Sequence, residues 1–527
     1  MTTKLLVNGR IYTPDSPDAT AMAVTDGLIT WVGQDGPGRA AHQGAELVDL
    51  GGAFVAPAFV DAHVHATATG LLHSGLDLTG VCSLAECLAA VAAHAARSAG
   101  VVWGHGWDET RWPEHRPPTR TELDAAAAGT PVYLSRIDVH SALASTALID
   151  AAPAARDAAG WSETGPLARD AHHHIRGAAL RAITSDQRKA AQLAFLNTVA
   201  ANGIAAVHEC AGPDISGRDD LADLLTLATG PGRPEVVGYW GQLDAPDLGI
   251  SVRGLAGDLF VDGAIGSRTA FLHEPYADAD TVGASYLDAE RIAAHLIACT
   301  RAGIQAGFHA IGDAAVSAVA DGFVLAEKTL GAPAIAGRAH RIEHLEMITA
   351  EQADVLGRLG VVASVQPAFD AAWGGPDGMY AERLGAGRGI ALNPLATLAK
   401  AGMTLAFGSD SPVTPIDPWG GIRAAVHHRT ETSRISARAA FTAHTRGGWR
   451  AAGARDRTGV LTPGAPATYA VWQAGPLVKP AADNRVQRWS TDPRSGVPAL
   501  PSLEPGAELP TCLATYRRGE PIYQREA

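Results

Sequence analysis

The chain has 527 residues, of which 46% are hydrophobic and 18% charged, the balance of a globular protein with a sizeable core. Its net charge of −13 argues against nucleic acid and against an anionic membrane as partners, and reads as solubility. Five cysteines (Cys82, Cys87, Cys210, Cys299 and Cys512) are too scattered for a disulfide framework, and Cys82 and Cys87 lack the second pair of a zinc finger.

The opening residues Met1–Val7 run straight into Asn8-Gly9-Arg10, without the long apolar stretch or cleavage site of a signal peptide. No apolar run has the length of a membrane span, so a cytoplasmic location is expected. Residues 1–56 read as short strands with turns. Leu5-Leu6-Val7 meets the hairpin dipeptide Asn8-Gly9, and Ala21–Val24 meets Asp26-Gly27 before Leu28–Val32. The tail from Gly459 has the same character, with Thr468–Trp472 strand-like. Residues 1–56 and 459–527 are therefore expected to form one small composite β-sandwich domain, with the Pro-, Gly- and Ser-rich segment after Gln473 as surface loops.

Between them, strand-like runs alternate with helical patterns, which implies βα units and a parallel sheet. After the run Ala53–Val60, strand candidates are 131–135, 204–208, 258–261, 304–309, 341–344, 361–365 and 404–408. The helix before His309 is marked by Ile292, His295, Leu296 and Cys299 at i, i+3, i+4 and i+7. Eight such units predict an α/β protein, a (β/α)8 TIM-like barrel over residues 57–458. The stretch from about residue 66 to 200 is too long for one crossover and predicts an inserted subdomain after the first strand.

His63 and His65 follow the first run. Side chains at i and i+2 on a strand share a face, so two imidazoles would converge as a divalent metal requires. Such a pair also arises by chance, but further candidate ligands end later strands: Glu209, His309, His344 and Asp410. Barrel enzymes build their sites at this end of the strands.

These residues in this order resemble the amidohydrolase superfamily. Trp103–Glu109, Asp262–Ala270, His309–Ala315, Arg341–His344 and Gly408–Pro412 resemble its amidohydrolase 3 branch, the YtcJ-like and N-substituted formamide deformylase-like proteins, over residues 5 to 470. The resemblance implies that His63 and His65 bind the more buried metal, that His309 and His344 complete the site, and that Asp410 touches the metal and shuttles the proton. It also implies one or two divalent ions, zinc foremost, and a small-molecule amide substrate attacked by metal-activated water. Relatives carry a bridging lysine at strand four. Here the stretch reads Asp258-Leu259-Phe260-Val261-Asp262-Gly263, so Asp258 becomes the candidate ligand, with Glu209 its rival.

His140 is a candidate to orient the substrate carbonyl. Trp103 and Trp107, with Trp112, are candidates to wall the pocket or else to fill a core. Arg268 is placed to hold a substrate carboxylate or an ion pair, and Gln366 is a further candidate substrate contact. Asp313 reads as a helix N-cap or as a partner to a ligand. Glu343 should face away from His344 and serve structure. His172-His173-His174 and His427-His428 read as solvated. The activity this predicts is hydrolysis of an amide-type C–N bond. The alternatives are a deaminase or cyclic-amide hydrolase on the same site, a metal-dependent isomerase or decarboxylase, and a non-catalytic scaffold. A homodimer is left open.

Overall fold

A computed structural model describes residues 3–98, 100–244, 248–479 and 497–526. Eight parallel strands form its central sheet: β1 (Phe59–Val64), β2 (Ile204–Ala211), β3 (Glu235–Trp240), β4 (Gly254–Leu255), β5 (Gln305–Ala310), β6 (Arg341–His344), β7 (Val362–Val365) and β8 (Thr404–Phe407). They pair in sequence order from β1 to β8. The circle closes just past the strand ends, where the Asp410 N–H donates to the His63 carbonyl at 2.8 Å and the His65 N–H to that of Ser411 at 2.9 Å. Gly408 makes this approach possible, since a Cβ there would lie 2.6 Å from the His63 nitrogen. The result is a TIM-like barrel whose strands are largely buried, as parallel sheets are, with residues 235–237 half-buried.

Two of the expected strands fall elsewhere. Residues 131–135 belong to the insertion, where Val132–Arg136 pairs with Val102–Trp107 and Ser141–Ala144. The third barrel strand is instead Glu235–Trp240. Both are short runs with apolar residues, and periodicity does not tell one sheet from another. The expected strand 258–261 is also displaced. Pairing stops at Leu255, Gly257 turns the chain at φ +79°, and only Phe260 makes a further parallel bridge, to His309.

Helix α1 (Ala66–Ser74) leads out of β1 into the insertion. The insertion is built on a five-stranded mixed sheet ordered Leu167–Ala168, Ser141–Ala144, Val132–Arg136, Val102–Trp107, Leu76–Asp77. Helix α2 (Arg169–Arg181) packs on one side of that sheet with Leu148, Ile149 and Ile175, while Trp107, Trp112 and Leu123 fill the other. Helix α3 (Ser185–Ala201), started by a Thr184–Gln187 capping box, packs against α1 and returns the chain to β2.

The chain ends form two further sheets. One contains Leu28–Gly33, Ala21–Thr25, Thr3–Val7 and Glu46–Asp49; the other Arg10–Ile11, Phe54–Pro57, Tyr469–Gln473, Thr511–Arg517 and Glu520–Gln524. One apolar cluster joins Leu6, Met22 and Ile29 to Leu461, Tyr469 and Val471. Asp26-Gly27 does turn a hairpin, but Asn8-Gly9 passes the chain from the first sheet to the second. Of the segment after Gln473, residues 480–496 lie outside the described residues. Leu477–Val478 and Leu500–Pro501 pair as short strands rather than loops. Among the described residues no helix is long and apolar enough to cross a membrane.

Candidate metal centre

His63 and His65 lie at the end of β1, His309 and His344 on β5 and β6, and Asp410 just beyond β8. Asp258 reaches them from the loop after β4. The distances are those of a shared coordination sphere. His63 Nε2 lies 3.3 Å from Asp258 Oδ1 and 3.4 Å from Asp410 Oδ1. His65 Nε2 is 3.2 Å from both Asp258 Oδ2 and Asp410 Oδ1. His344 Nε2 lies 3.9 Å from Asp258 Oδ1. Donors about 2.0–2.2 Å from one tetrahedral ion would sit about 3.3–3.6 Å apart.

Four overlapping triads each keep their possible ligand atoms within 4.8 Å of one another: His63, His65 and Asp258; Asp258, His309 and His344; His63, His344 and Asp410; and, behind them, His63, Cys210 and Glu343, whose carboxylate is already bound by Arg341. Asp258 belongs to two of them. His63 Nε2, Asp258 Oδ1, Asp410 Oδ1 and both nitrogens of His309 are buried without a hydrogen-bond partner. Buried polar atoms are rarely left so, and donors of these types facing one another fit a divalent metal. His344 and Asp410 also hold positive φ, at 73° and 54°, the kind of strain that gathers at functional sites.

Neighbouring groups fix these candidate ligands. His63 Nδ1 donates to Glu343 Oε2 at 2.9 Å, which leaves Nε2 for a metal. Glu343 therefore faces the barrel interior and holds a ligand, beyond the purely structural role expected. It is held there by Arg341, whose Nε and Nη2 donate to its two oxygens at 2.5 and 2.8 Å. Burial alone would raise the Glu343 pKa; Arg341 and His63 hold it well below the carboxylate range. Gln366 accepts from His344 Nδ1 at 2.8 Å and fixes that ring, and it is not among the residues that line the pocket above the cluster. Asp61 accepts the Ser409 N–H at 2.8 Å and ties β1 to the turn carrying Asp410.

Burial would lower the pKa of His65, but the carboxylates of Asp258 and Asp410 push it up to about 9. Burial, with His344 adjacent, lowers His309 to about 3 and keeps that ring neutral. Burial would raise the Asp410 pKa, but the imidazoles of His63, His65 and His344 together hold it below the ordinary carboxylate value.

A pocket opens above the cluster, and the insertion builds much of its wall. His140 enters it from between Val132–Arg136 and Ser141–Ala144, not from the end of a barrel strand. Its ring lies 5.1 Å from that of His309, and burial lowers it to about 4. Trp103 lines the pocket, its ring 4.5 Å from Tyr133. Trp107 does not: its indole donates to the Leu134 carbonyl at 2.9 Å in the core of the insertion. Trp112 lies in the same core. Arg268 also stays outside the pocket, paired with Asp278 at 2.6 Å.

Glu209 lines the pocket, and its Oε2 accepts the Ala66 N–H at 2.8 Å, but it joins none of the triads. Burial pushes it up to about 8. Asp313 opens helix α4 (Asp313–Leu330) and accepts the His273 N–H. His172 and His173 are not solvated. They lie on α2, with His172 1% exposed and bonded to the Tyr133 hydroxyl at 2.9 Å, His173 half-buried and His174 exposed. His428 is likewise buried, 3.6 Å from Asp370. His105 went unnoticed in the sequence; it bridges Ser135 and the Pro412 carbonyl, both at 2.8 Å, and pins the insertion to the loop after β8.

A family profile described as "Amidohydrolase family" matches residues 46–523. Protein LONG AFTER FAR-RED 3 of Arabidopsis thaliana is 28% identical, over 89% of this chain and 86% of its own. Putative amidohydrolase YtcJ of Bacillus subtilis is 29% identical, over 79% and 82%. The N-substituted formamide deformylase of Arthrobacter pascens is 24% identical, over 79% and 81%. Among solved structures, an uncharacterized metal-dependent hydrolase from Pyrococcus furiosus aligns with TM-score 0.68 at 28% identity, over 89% of this chain and 98% of that one.

Proposed function

The chain belongs to the amidohydrolase family, and from that premise we propose that it hydrolyses an amide-type C–N bond in a small molecule, with a divalent metal, zinc foremost, held by His63, His65, Asp258, His309 and His344. The observation that carries this reading is the set of buried, unpartnered donor atoms on His63, Asp258, His309 and Asp410 that face one another. Sharing two triads suits Asp258 to bridge two ions in the place where relatives use lysine, because a carboxylate ligates without modification.

A divalent metal bound there would bring the pKa of its water towards about 7 and polarise the substrate carbonyl. Asp410, held below the ordinary carboxylate value and 3.2 Å from His65 Nε2, is positioned to carry a proton from an attacking water to the leaving nitrogen. His140, neutral at the pocket wall, can donate an N–H to the carbonyl oxygen. Trp103 and Phe260 give the pocket apolar wall beside these groups. In balance, water's hydroxyl joins the acyl carbon, the C–N bond breaks, and a carboxylic acid and an amine leave. We read the two terminal sheets as one small β-sandwich domain beside this barrel.

The test is a screen of the zinc-loaded protein against N-acyl and N-formyl amines, cyclic amides and aminopurines, read by amine or ammonia release and by incorporation of labelled water oxygen. Amine release with label in the acid is expected. Product without label would turn the reading to an isomerase or decarboxylase. Ammonia from aminopurines alone would turn it to a deaminase.

A further inference from the structure

Arg176 sits on α2 four residues after His172 and three after His173, so the three side chains share one helix face. That face forms a wall of the pocket. His173 stacks on Phe260, with ring centroids 5.9 Å apart, and Phe260 in turn lies 5.0 Å from the His309 ring. Arg176 therefore belongs to the same pocket as the metal ligands but enters from the insertion.

Its guanidinium is anomalous. Arg176 is 9% exposed, its Nε is buried without a hydrogen-bond partner, and it forms no ion pair with any described residue. Other buried arginines of this protein are fully matched. Arg136 meets Asp108, Glu109 and Asp138; Arg383 meets Glu109 and Asp278; Arg341 meets Glu343. A buried cation without a counter-ion is costly, and folds keep one chiefly where a ligand supplies the missing charge. The groups beside it supply none, for burial keeps His172 and His173 neutral and the Tyr133 hydroxyl is taken by His172.

We propose that Arg176 binds a carboxylate of the substrate, so that the amide this site takes is an anionic one. Arg268, which the sequence offered for that task, is already paired with Asp278. The planar fork of a guanidinium suits a carboxylate bidentately, and its place on the insertion makes that subdomain the specificity element. The inference rests on the hydrolase reading above but is separable from it.

The test uses the zinc-loaded full chain and a panel of paired probes differing only in the carboxylate: N-acetyl-glycine, N-acetyl-leucine and N-acetyl-phenylalanine, each against its C-terminal amide. Binding is measured by calorimetry and cleavage by amine release. An acid-over-amide preference of about 10- to 100-fold is expected in the wild type, the range for a charge-assisted bond. Arg176→Met should abolish that preference, leave the weak binding of the neutral amides and the zinc content unchanged, and give a melting temperature no lower than the wild type, since a buried unpaired charge is removed. Arg176→Lys should restore part of it. An Arg176-dependent preference without cleavage would uphold this inference and sink amide hydrolysis. Cleavage of acids and amides alike would do the reverse. A preference that survives Arg176→Met would put the carboxylate on the metal and overturn the proposal, as would no preference across the panel.

Discussion

Replacing Glu343 by glutamine tests whether the centre depends on the carboxylate that holds the ring of His63. Three donors converge on Glu343: His63 Nδ1 at 2.9 Å and Arg341 Nε and Nη2 at 2.5 and 2.8 Å. Glutamine keeps one acceptor oxygen and turns an NH2 towards at least one of these donors, so a bond becomes a repulsive contact. Arg341 also loses its counter-ion, and both side chains are 0% exposed. Its remaining acceptors, the Ala62 carbonyl, Ser364 Oγ and His208, are neutral. Breaking one side of a buried pair costs about 3–5 kcal/mol, to be read by urea unfolding of the metal-free protein. The change also removes the charged acceptor that orients His63 and raises its basicity. Loss of such a partner lowers metal affinity about 10- to 100-fold, to be read by competition with a chromophoric chelator. A Glu343→Gln protein that binds zinc with wild-type affinity and unfolds at the wild-type urea concentration would refute this reasoning.

Asp410→Asn should retain zinc and lose about 10²- to 10⁴-fold in turnover, the span attributed to a positioned proton carrier; unchanged turnover by amine-release assay would remove Asp410 from that role. Asp258→Ala should reduce a two-ion stoichiometry to one by elemental analysis; an unchanged count of two would deny it the bridge. Zinc uptake at pH 7 should release protons. Without metal, His65 is held up to about 9 and is protonated at that pH, whereas a ligating imidazole is neutral. Binding enthalpies that do not vary with the ionisation heat of the buffer would contradict this.

Much of the centre was legible because strand geometry is simple. His63 and His65 share a face by the period of two, and His309, His344 and Asp410 close the strands they were expected to close. The barrel's eightfold count was legible while its membership was not: Glu235–Trp240 and Val132–Arg136 are both short runs with apolar residues, and only tertiary pairing assigns them to different sheets. Residues that come from the insertion were harder still. Three consecutive histidines cannot all converge, so His172–His174 read as solvated. A helix needs only to turn two of them, with Arg176, towards the pocket and leave His174 exposed. The helical spacing of His172 and Arg176 was the available signal. Glu343 was misjudged because alternation along β6 was counted from His344 outward, whereas the His344 backbone at φ 73° breaks that alternation at the strand end and lets both side chains serve the site.

The most direct test of a metal-dependent centre is the divalent metal content of the purified protein after stripping and reloading, compared with the double variant His63→Ala, His65→Ala. At least one tightly held ion per chain is expected in the wild type, with that ion lost in a variant that still folds. A wild-type chain that takes up no stoichiometric metal, or a variant that holds it as well as the wild type, would contradict the account.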